Sequence, residues 1–183
     1  MSRDVSIISA EEYLAREEAS PVKHELVNGV VYALVGATER HCIIAGNLLA
    51  ALSTHLPDHC TALTSDMKLR IRAERAELFY YPDCMVCCGP SDQTRNWRDD
   101  PVLLAEVLSP ATERTDRTEK FAAYTALATL QEYVLIAQDV PKIEIFRRKS
   151  AWRREPLYIE HTFRLECVDF EMAMTALYRR VQF

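Results

Sequence analysis

The segment PVLLAEVLSPATERTDRTEKFAAY, residues 101–124, decides the fold because it joins an apolar strand to a helix through a short polar turn. Its first part is almost uniformly apolar, a pattern typical of a central strand that is covered on both faces. Glu106 lies inside that run, where an ionised carboxylate is costly unless it is paired or bound to a metal. The residues after the turn predict a helix near residues 115–128, in which Asp116 and Glu119 resemble a capping box.

A second apolar run, PDCMVCC at residues 82–88, begins at Asp83 and also predicts a buried strand. If the two predicted strands lie side by side, Asp83 and Glu106 would lie near Lys120 on the following helix. Hydrolysis of a phosphodiester requires neutralised phosphoryl charge and an activated water. Two carboxylates that hold Mg²⁺ or Mn²⁺, together with a lysine ammonium, can provide both. Structural interpretations stay open, because Asp83 could only start a strand and Glu106 could form an ion pair. Lys120 could likewise pair with Asp116, four positions earlier on the helix.

The remaining periodicity predicts one α/β (α+β) domain over residues 1–183, with a mixed β-sheet core and flanking helices. Ser9 with a glutamate three positions later predicts a helix over residues 9–18, and HELVNGVVYA at 24–33 predicts a hairpin with an Asn-Gly turn. Apolar residues at helical spacing predict a second helix over 40–56. The other predicted elements are strands at 67–72, 78–88, 102–108, 134–137 and 143–146, a hairpin over 151–168 and a last short helix capped by Asp169.

Composition limits the class of protein independently of any motif. The 183 residues are 49% hydrophobic, which is enough for one domain with a core. The chain has no apolar run of about 18 residues, and its N-terminal segment is too acidic and polar for a signal peptide, so we expect a soluble cytoplasmic protein. The net charge of −5 predicts that any contact with nucleic acid is local. Six cysteines in apolar segments predict buried thiols in a reducing compartment.

Three motifs resemble those of the Uma-type endonucleases, a bacterial branch of the PD-(D/E)XK nuclease superfamily. They are HELVNG at 24–29, PDCMVC at 82–87 and AEVLSPATERTDRTEKFAAY at 105–124, and the resemblance spans about residues 10–148. It implies a restriction-endonuclease-like fold with a mixed sheet flanked by helices, and the pattern above adds a β-hairpin towards either end. It also implies hydrolysis of phosphodiester bonds in DNA with Mg²⁺ or Mn²⁺, and a homodimer.

Carried over by position, the resemblance implies that Asp83 and Glu106 hold the metal, with the main-chain oxygen of Val107 as a further ligand. It implies that Glu25 completes the site. Lys120 would then support the attacking water.

One position departs from the simple superfamily motif, which has a lysine where this chain has Leu108. In the Uma-type pattern that lysine lies on the following helix, at Lys120. Three residues match recurrent positions of the family and are candidates for supporting roles: His41, Asp116 and Tyr124.

A basic stretch with interleaved aromatic residues, at 142–154, could contact a phosphate backbone, or could be the charged face of an edge hairpin. The residues considered for nucleic-acid binding are Arg114, Arg117, Arg147, Arg148 and Lys149. The leading hypothesis is a metal-dependent DNA endonuclease. The alternative is a catalytically silent dimer of the same fold that binds nucleic acid or protein. The acidic net charge favours the alternative, whereas four active-site residue types favour the enzyme.

Overall fold

The structure of the protein, a computed structural model, describes residues 7–73 and 77–183, so residues 1–6 and 74–76 of the predicted domain lie outside it. The helices are α1 (Ala10–Glu18), α2 (Glu39–His55), α3 (Glu113–Thr115), α4 (Phe121–Thr125) and α5 (Met174–Leu177), with a π-helical turn, Asp116–Lys120, between α3 and α4. The strands are β1 (His24–Val27), β2 (Val30–Ala33), β3 (Thr61–Thr64), β4 (Lys68–Arg72), β5 (Glu77–Tyr80), β6 (Cys84–Cys87), β7 (Trp97–Arg98), β8 (Pro101–Leu108), β9 (Glu132–Ala137), β10 (Lys142–Arg147), β11 (Arg154–Tyr158), β12 (Thr162–Leu165) and β13 (Phe170–Ala173).

The strands form two mixed sheets and a separate hairpin. The five-stranded sheet has the order β2-β1-β5-β4-β7, and the six-stranded sheet has the order β11-β10-β9-β8-β6-β3. The pairs β4·β7 and β8·β9 are parallel, whereas the other described pairs are antiparallel. The predicted α+β fold with a mixed sheet core and hairpins near both ends is therefore confirmed.

The side chains of β8 alternate between two core clusters, one on each face of the six-stranded sheet. Ala105 packs with Ile44 and Leu48 of α2 on one face. Leu104 packs on the other face with Leu69 of β4 and with the helical segment that follows β8. Glu106 shares the second face because its side chain alternates with those of its neighbours. The site face of β8 therefore looks towards the five-stranded sheet.

The N-terminal elements follow the predicted pattern closely. Ser9 caps α1 by accepting a hydrogen bond from the Glu12 amide, and Asn28 and Gly29 form the turn between β1 and β2 with positive φ angles. These two positions need the left-handed backbone, which asparagine and glycine adopt most easily. α2 begins at Glu39 and ends at His55, close to the predicted 40–56. Among the described residues, no helix has the length and apolarity needed to cross a membrane.

The predicted strand at 78–88 is wrong as a single element. It divides into β5 and β6, which belong to different sheets. The break falls at Tyr81, Pro82 and Asp83, where proline has no amide to continue the ladder. Asp83 therefore stands at the crossing point between the sheets.

The helix predicted at 115–128 is also corrected. Helical structure runs from Glu113 to Thr125 and contains a π-helical turn at its centre. Asp116 and Glu119 lie within that turn, so the predicted capping box is wrong. Asp116 is instead buried and faces the interior.

The C-terminal elements pair differently from the predicted hairpin over 151–168. β11 pairs with β10, whereas β12 pairs with β13. Residues predicted to start the last helix form β13. The pairing of β12 with β13 buries Phe163, Leu165 and Phe170 on one face, which favours the strand. Asp169 adopts a φ of 48° in the connection before β13 and does not cap a helix.

The prediction that all six cysteines are buried thiols is wrong, because two of them form a disulfide and another is exposed. Cys60 and Cys88 form a disulfide. The register Thr61↔Cys87 between β3 and β6 explains this pairing, because it makes Cys60 and Cys88 the next cross-strand neighbours. Cys42 is exposed, so its thiol is not buried either.

Candidate active site

Three structural elements deliver acidic side chains to the same face of the six-stranded sheet. β1 carries Glu25, the β5–β6 junction carries Asp83 and β8 carries Glu106. The helical segment after β8 folds back over these strands and adds Asp116 and Lys120 from its π-helical turn. These five residues, Glu25, Asp83, Glu106, Asp116 and Lys120, are called the acidic cluster below.

Lys120 occupies the centre of the acidic cluster. Its Nζ lies 3.2 Å from Glu25 Oε1, 3.2 Å from Glu106 Oε1 and 3.4 Å from Asp116 Oδ1, and the lysine side chain is 7% exposed. Burial alone would lower the pKa of Lys120, but the three carboxylates outweigh it and raise the pKa above the usual lysine value. Lys120 is therefore a fixed ammonium, suited to holding negative charge and not to accepting a proton.

Two strand residues, Glu25 and Glu106, contact Lys120, and Glu106 is the more deeply buried of the two. Its Oε1 accepts a hydrogen bond of 2.8 Å from the Tyr124 hydroxyl as well as one from Lys120, and its Oε2 accepts a long bond of 3.4 Å from the Asp83 amide. Burial raises the pKa of Glu106 well above the usual range; Lys120 lowers it, and the other acids of the cluster raise it further. One ammonium does not balance this much negative charge, so the site favours binding a further cation or a proton.

Asp83 lies at the open side of the cluster, with its side chain 15% exposed. Its Oδ2 accepts a hydrogen bond of 2.7 Å from the Val107 amide and lies 3.0 Å from His41 Nε2. Burial would lower the pKa of His41, but its contact with Asp83 raises it overall. In a strand the amide and carbonyl of one residue point to the same side, so the carbonyl of Val107 also faces Asp83.

Glu25 is held from the sheet beside it. Its Oε1 accepts a hydrogen bond of 3.2 Å from the Tyr81 amide in addition to its contact with Lys120. Tyr81 immediately precedes Pro82, so the same turn that positions Asp83 also fixes Glu25. Glu25 does not point to solvent, because this residue is 8% exposed.

Asp116 is 1% exposed, and its Oδ1 has no aligned hydrogen bond within the described residues although the Lys120 ammonium lies 3.4 Å away. Burial raises the pKa of Asp116, and Lys120 opposes that shift. π-helical turns often occur at functional sites. Asp116 and Lys120 of this turn are both buried, at 1% and 5% exposure.

The donor set suits a hard divalent cation. Carboxylate and main-chain oxygens are the ligands that Mg²⁺ and Mn²⁺ prefer, and the cluster holds four carboxylates against one lysine. The orphaned Asp116 Oδ1 and the partly exposed Asp83 provide oxygens that are not fully used by the protein. Over residues 7–73 and 77–183, however, no three acidic, imidazole or thiol groups converge tightly enough to enclose an ion, and Lys120 fills the space between three of the acids. A metal would therefore contact the cluster from its Asp83 side.

Sequence reasoning missed Gln138 and Thr38, which connect the end of β8 to the start of α2. Gln138 is buried at the end of β9; its Nε2 donates to the Leu108 carbonyl at 2.8 Å, and its Oε1 accepts from the Thr38 hydroxyl at 2.5 Å. Thr38 is the N-cap of α2, the helix that carries His41. The available signal was a polar residue directly after a buried strand parallel to β8, because the carboxyl ends of parallel strands meet at one edge.

The basic stretch after β10 is occupied by intramolecular contacts. The buried Arg147 pairs with Glu132 at 2.7 Å and with Glu155, and Arg148 donates to the carbonyls of Leu127 and Leu130. These contacts direct both guanidinium groups at protein oxygens and not at solvent. Lys149 is 65% exposed and pairs with Glu166.

The other two arginines considered for nucleic-acid binding lie on the helical segment itself. Arg117 pairs with Glu113 at 2.8 Å and with Glu144 at 2.5 Å. Arg114 is exposed, and its carbonyl accepts a hydrogen bond from Thr118. Arg114 is therefore the more accessible of the two.

Comparison with known proteins gives matches over nearly the whole chain. The family model described as "Uma2: Putative restriction endonuclease" matches residues 10–175. An uncharacterised protein from Synechocystis sp. is 31% identical over 180 residues, which is 96% of this chain and 94% of that protein. A second uncharacterised Synechocystis protein is 34% identical over 146 residues, 78% of this chain and 81% of that protein. A crystal structure from Anabaena variabilis, described as a "putative nuclease belonging to DUF820", matches with a TM-score of 0.73 and 16% identity over 93% of this chain and 97% of that one.

Proposed function

The chain belongs to the Uma2 family, described as "Putative restriction endonuclease", and from that membership and the acidic cluster we propose that it is a Mg²⁺- or Mn²⁺-dependent endonuclease acting on DNA. The motif resemblance is confirmed, and the family match extends to residue 175, beyond the predicted 148. The nuclease-like fold agrees with this class of enzyme. The observation that carries the proposal is the convergence of three carboxylates on Lys120, with Asp83 beside Glu106 as a fourth, at the crossing point of the two sheets.

Asp83 and Glu106 are the proposed metal ligands, with the main-chain oxygen of Val107 beside them. A divalent cation bound there would neutralise phosphoryl charge and lower the pKa of a water ligand. Asp83 suits this role because it is the most exposed acid of the cluster, and Glu106 because its charge is under-compensated.

Other residues position these ligands. The Tyr124 hydroxyl holds Glu106 Oε1, and His41 and the Val107 amide hold Asp83 Oδ2. Glu25 holds Lys120, whose ammonium is directed at the same space as Glu106. Lys120 orients the attacking water and offsets the charge that develops on the phosphoryl oxygens.

The reaction class is hydrolysis by direct displacement. Water attacks phosphorus in line with the leaving 3′ oxygen, the P–O3′ bond breaks, and one proton of the water ends on that oxygen, which gives a 3′-hydroxyl and a 5′-phosphate. No side chain of the cluster needs to form a covalent bond to the substrate. The fixed ammonium of Lys120 is consistent with a role in charge stabilisation.

The silent-scaffold alternative explains the cluster less well. A structural ion-pair network that serves stability alone is expected to balance its buried charges, because an uncompensated buried charge costs several kcal/mol. Here several acids share one lysine, and Asp116 Oδ1 lacks an aligned partner. The excess of carboxylate favours a cation-binding site.

The experiment that tests the proposal compares wild type with Asp83→Ala and with Glu11→Gln, a matched control on the exposed face of α1. Nicking of a supercoiled plasmid is measured with Mg²⁺, with Mn²⁺ and with EDTA, and metal binding is measured by calorimetry on the same samples. We expect wild type and Glu11→Gln to nick and to bind metal, and Asp83→Ala to lose both while keeping its circular dichroism spectrum. Nicking retained in Asp83→Ala would overturn the assignment, and metal binding by a wild type that never nicks would support the silent alternative.

A further inference from the structure

An exposed tyrosine lies directly beside the acidic cluster. Tyr32 of β2 is the cross-strand partner of Glu25 in β1. Opposed residues of an antiparallel pair lie on the same face with their Cβ atoms about 4.5–5.5 Å apart. Glu25 Oε1 is in turn 3.2 Å from Lys120 Nζ. Tyr32 is therefore the neighbour of a residue that contacts the proposed catalytic ammonium.

Tyr32 differs from the other tyrosines of this region in its exposure. It is 53% exposed, whereas the remaining four are buried: Tyr80, Tyr81, Tyr124 and Tyr133. Those four use their hydroxyls on acidic side chains or a main-chain carbonyl within the protein. β2 is an edge of the five-stranded sheet, so no described strand lies beyond it. The Tyr32 ring is thus available to a partner from outside.

The chain after β2 leads from Tyr32 to α2, the helix that carries His41. Val35, which is 75% exposed, follows on the connection to α2. α2 then places His41 3.0 Å from Asp83. Along the chain, Tyr32 and Val35 therefore come between β1, which carries Glu25, and the helix that carries His41. An exposed aromatic side chain on an edge strand is an aggregation hazard, which edges usually avoid, so the exposure of Tyr32 beside the acidic cluster calls for a ligand.

We propose that Tyr32 is a stacking platform for the nucleobase next to the scissile phosphate, and that the substrate is a strand whose base is unpaired at the cleavage position. This inference rests on the proposed function, because the phosphate must lie at the acidic cluster for its nucleoside to reach β2. Aromatic side chains stack on every base, so the contact selects strand state and not sequence. In a duplex the faces of a base are covered by its neighbours, and a base must leave the stack to meet a protein ring. The substrate class that fits is single-stranded or locally unpaired nucleic acid.

The test measures binding separately from cleavage, in a Glu106→Gln background. The probes are a fluorescein-labelled single-stranded 20-mer, the blunt duplex of the same sequence, and single strands that carry 2-aminopurine at successive positions. Tyr32→Ala and Tyr32→Trp are compared with the control Tyr158→Ala, which removes a tyrosine of similar exposure, 46%, from β11 at the far edge of the six-stranded sheet.

Tyr32→Ala should raise the Kd for the single strand about 5- to 150-fold, the range expected for one stacked base, with little change for the duplex. Tyr32→Trp should bind at least as tightly as the parent, and Tyr158→Ala should not differ from it. Quenching of 2-aminopurine at one position should be present in the parent and absent in Tyr32→Ala. A structural role alone would not move that fluorescence signal.

Two results would overturn the inference without touching the proposed function. One is equal single-strand binding and equal quenching in Tyr32→Ala and its parent, with wild type still nicking plasmid. The other is a change in molecular mass of Tyr32→Ala by light scattering, which would assign the ring to a contact between copies of the chain. If wild type cleaves no nucleic acid and the parent binds neither probe, the proposed function fails together with this inference.

Discussion

The ammonium of Lys120 lies 3.2 Å from Glu106 Oε1, and the side chains of both residues are almost fully buried, at 7% and 4% exposure. They come from different layers, since Glu106 belongs to β8 and Lys120 to the π-helical turn above it. The pair thus joins the sheet to the helical segment. It also concentrates more negative than positive charge at that junction, because Glu25 and Asp116 share the same ammonium. The predictions on Lys120 and Glu106 depend on this imbalance.

Replacement of Lys120 by methionine should destabilise the metal-free protein by about 3–5 kcal/mol, the usual cost of leaving a buried charge unpaired. The loss arises because three carboxylates remain without their shared ammonium. Urea unfolding in EDTA at pH 7 measures the effect, with the exposed Lys149→Met as control. Added Mg²⁺ should raise the midpoint of Lys120→Met more than that of wild type, since a ligand that binds only the folded state stabilises it. An unchanged midpoint in EDTA would mean that Lys120 does not hold the cluster together.

The stability of the metal-free protein should depend on pH through Glu106. Its pKa is raised in the folded state by burial, despite Lys120, so the folded protein binds this proton more tightly than the unfolded chain does. A raised carboxyl pKa contributes stability that is complete below the unfolded pKa and is lost as pH rises through the folded one. We therefore expect the free energy of unfolding of Glu106→Gln to increase relative to that of wild type as pH rises through that window.

The measurement is urea unfolding of both proteins in EDTA from about pH 4 to about pH 8, because a raised carboxyl pKa titrates in this range. Asp116, whose pKa is also raised, is present in both proteins and largely cancels in the difference. Saturating Mg²⁺ should reduce the pH dependence of wild type more than that of Glu106→Gln. A stability difference that stays constant with pH would contradict the raised pKa of Glu106.

Local sequence patterns predicted the N-terminal half of the fold well for physical reasons that can be named. The Asn28-Gly29 turn requires positive φ, and α2 shows a long apolar repeat, so each element is specified by its own residues. β5 and β6 failed as a single strand because both are uniformly apolar, and only the packing of each against a different sheet separates them. β12 and β13 failed for the same reason, since pairing partners are chosen by tertiary contacts.

The candidate site was partly readable because buried strands with single acidic residues are unusual. Glu106 drew attention by its apolar surroundings and Lys120 by its place on the following helix, whereas motif resemblance supplied Glu25. The π-helical turn was not readable, because Asp116 to Lys120 has the same spacing as an ordinary i,i+4 surface pair. The network through Gln138 was missed because its partner Thr38 is 100 residues away in sequence, and the local signal, a polar residue after a buried strand, does not identify that partner.

Replacement of Arg147 by methionine should destabilise the protein without weakening its binding to nucleic acid. Arg147 is 7% exposed and pairs with Glu132, which is 2% exposed, at the end of the sheet where β9 begins. Removing the guanidinium leaves Glu132 buried with its charge uncompensated, a change that typically costs about 3–5 kcal/mol. Urea unfolding measures the loss, with Lys149→Met from the same basic stretch as a control that should leave the midpoint unchanged. Binding of a fluorescein-labelled oligonucleotide, measured below the unfolding range, should be the same for wild type and both variants. If Arg147→Met instead keeps its stability and loses oligonucleotide affinity, the basic stretch is a nucleic-acid surface and its interpretation as an internal ion-pair network is wrong.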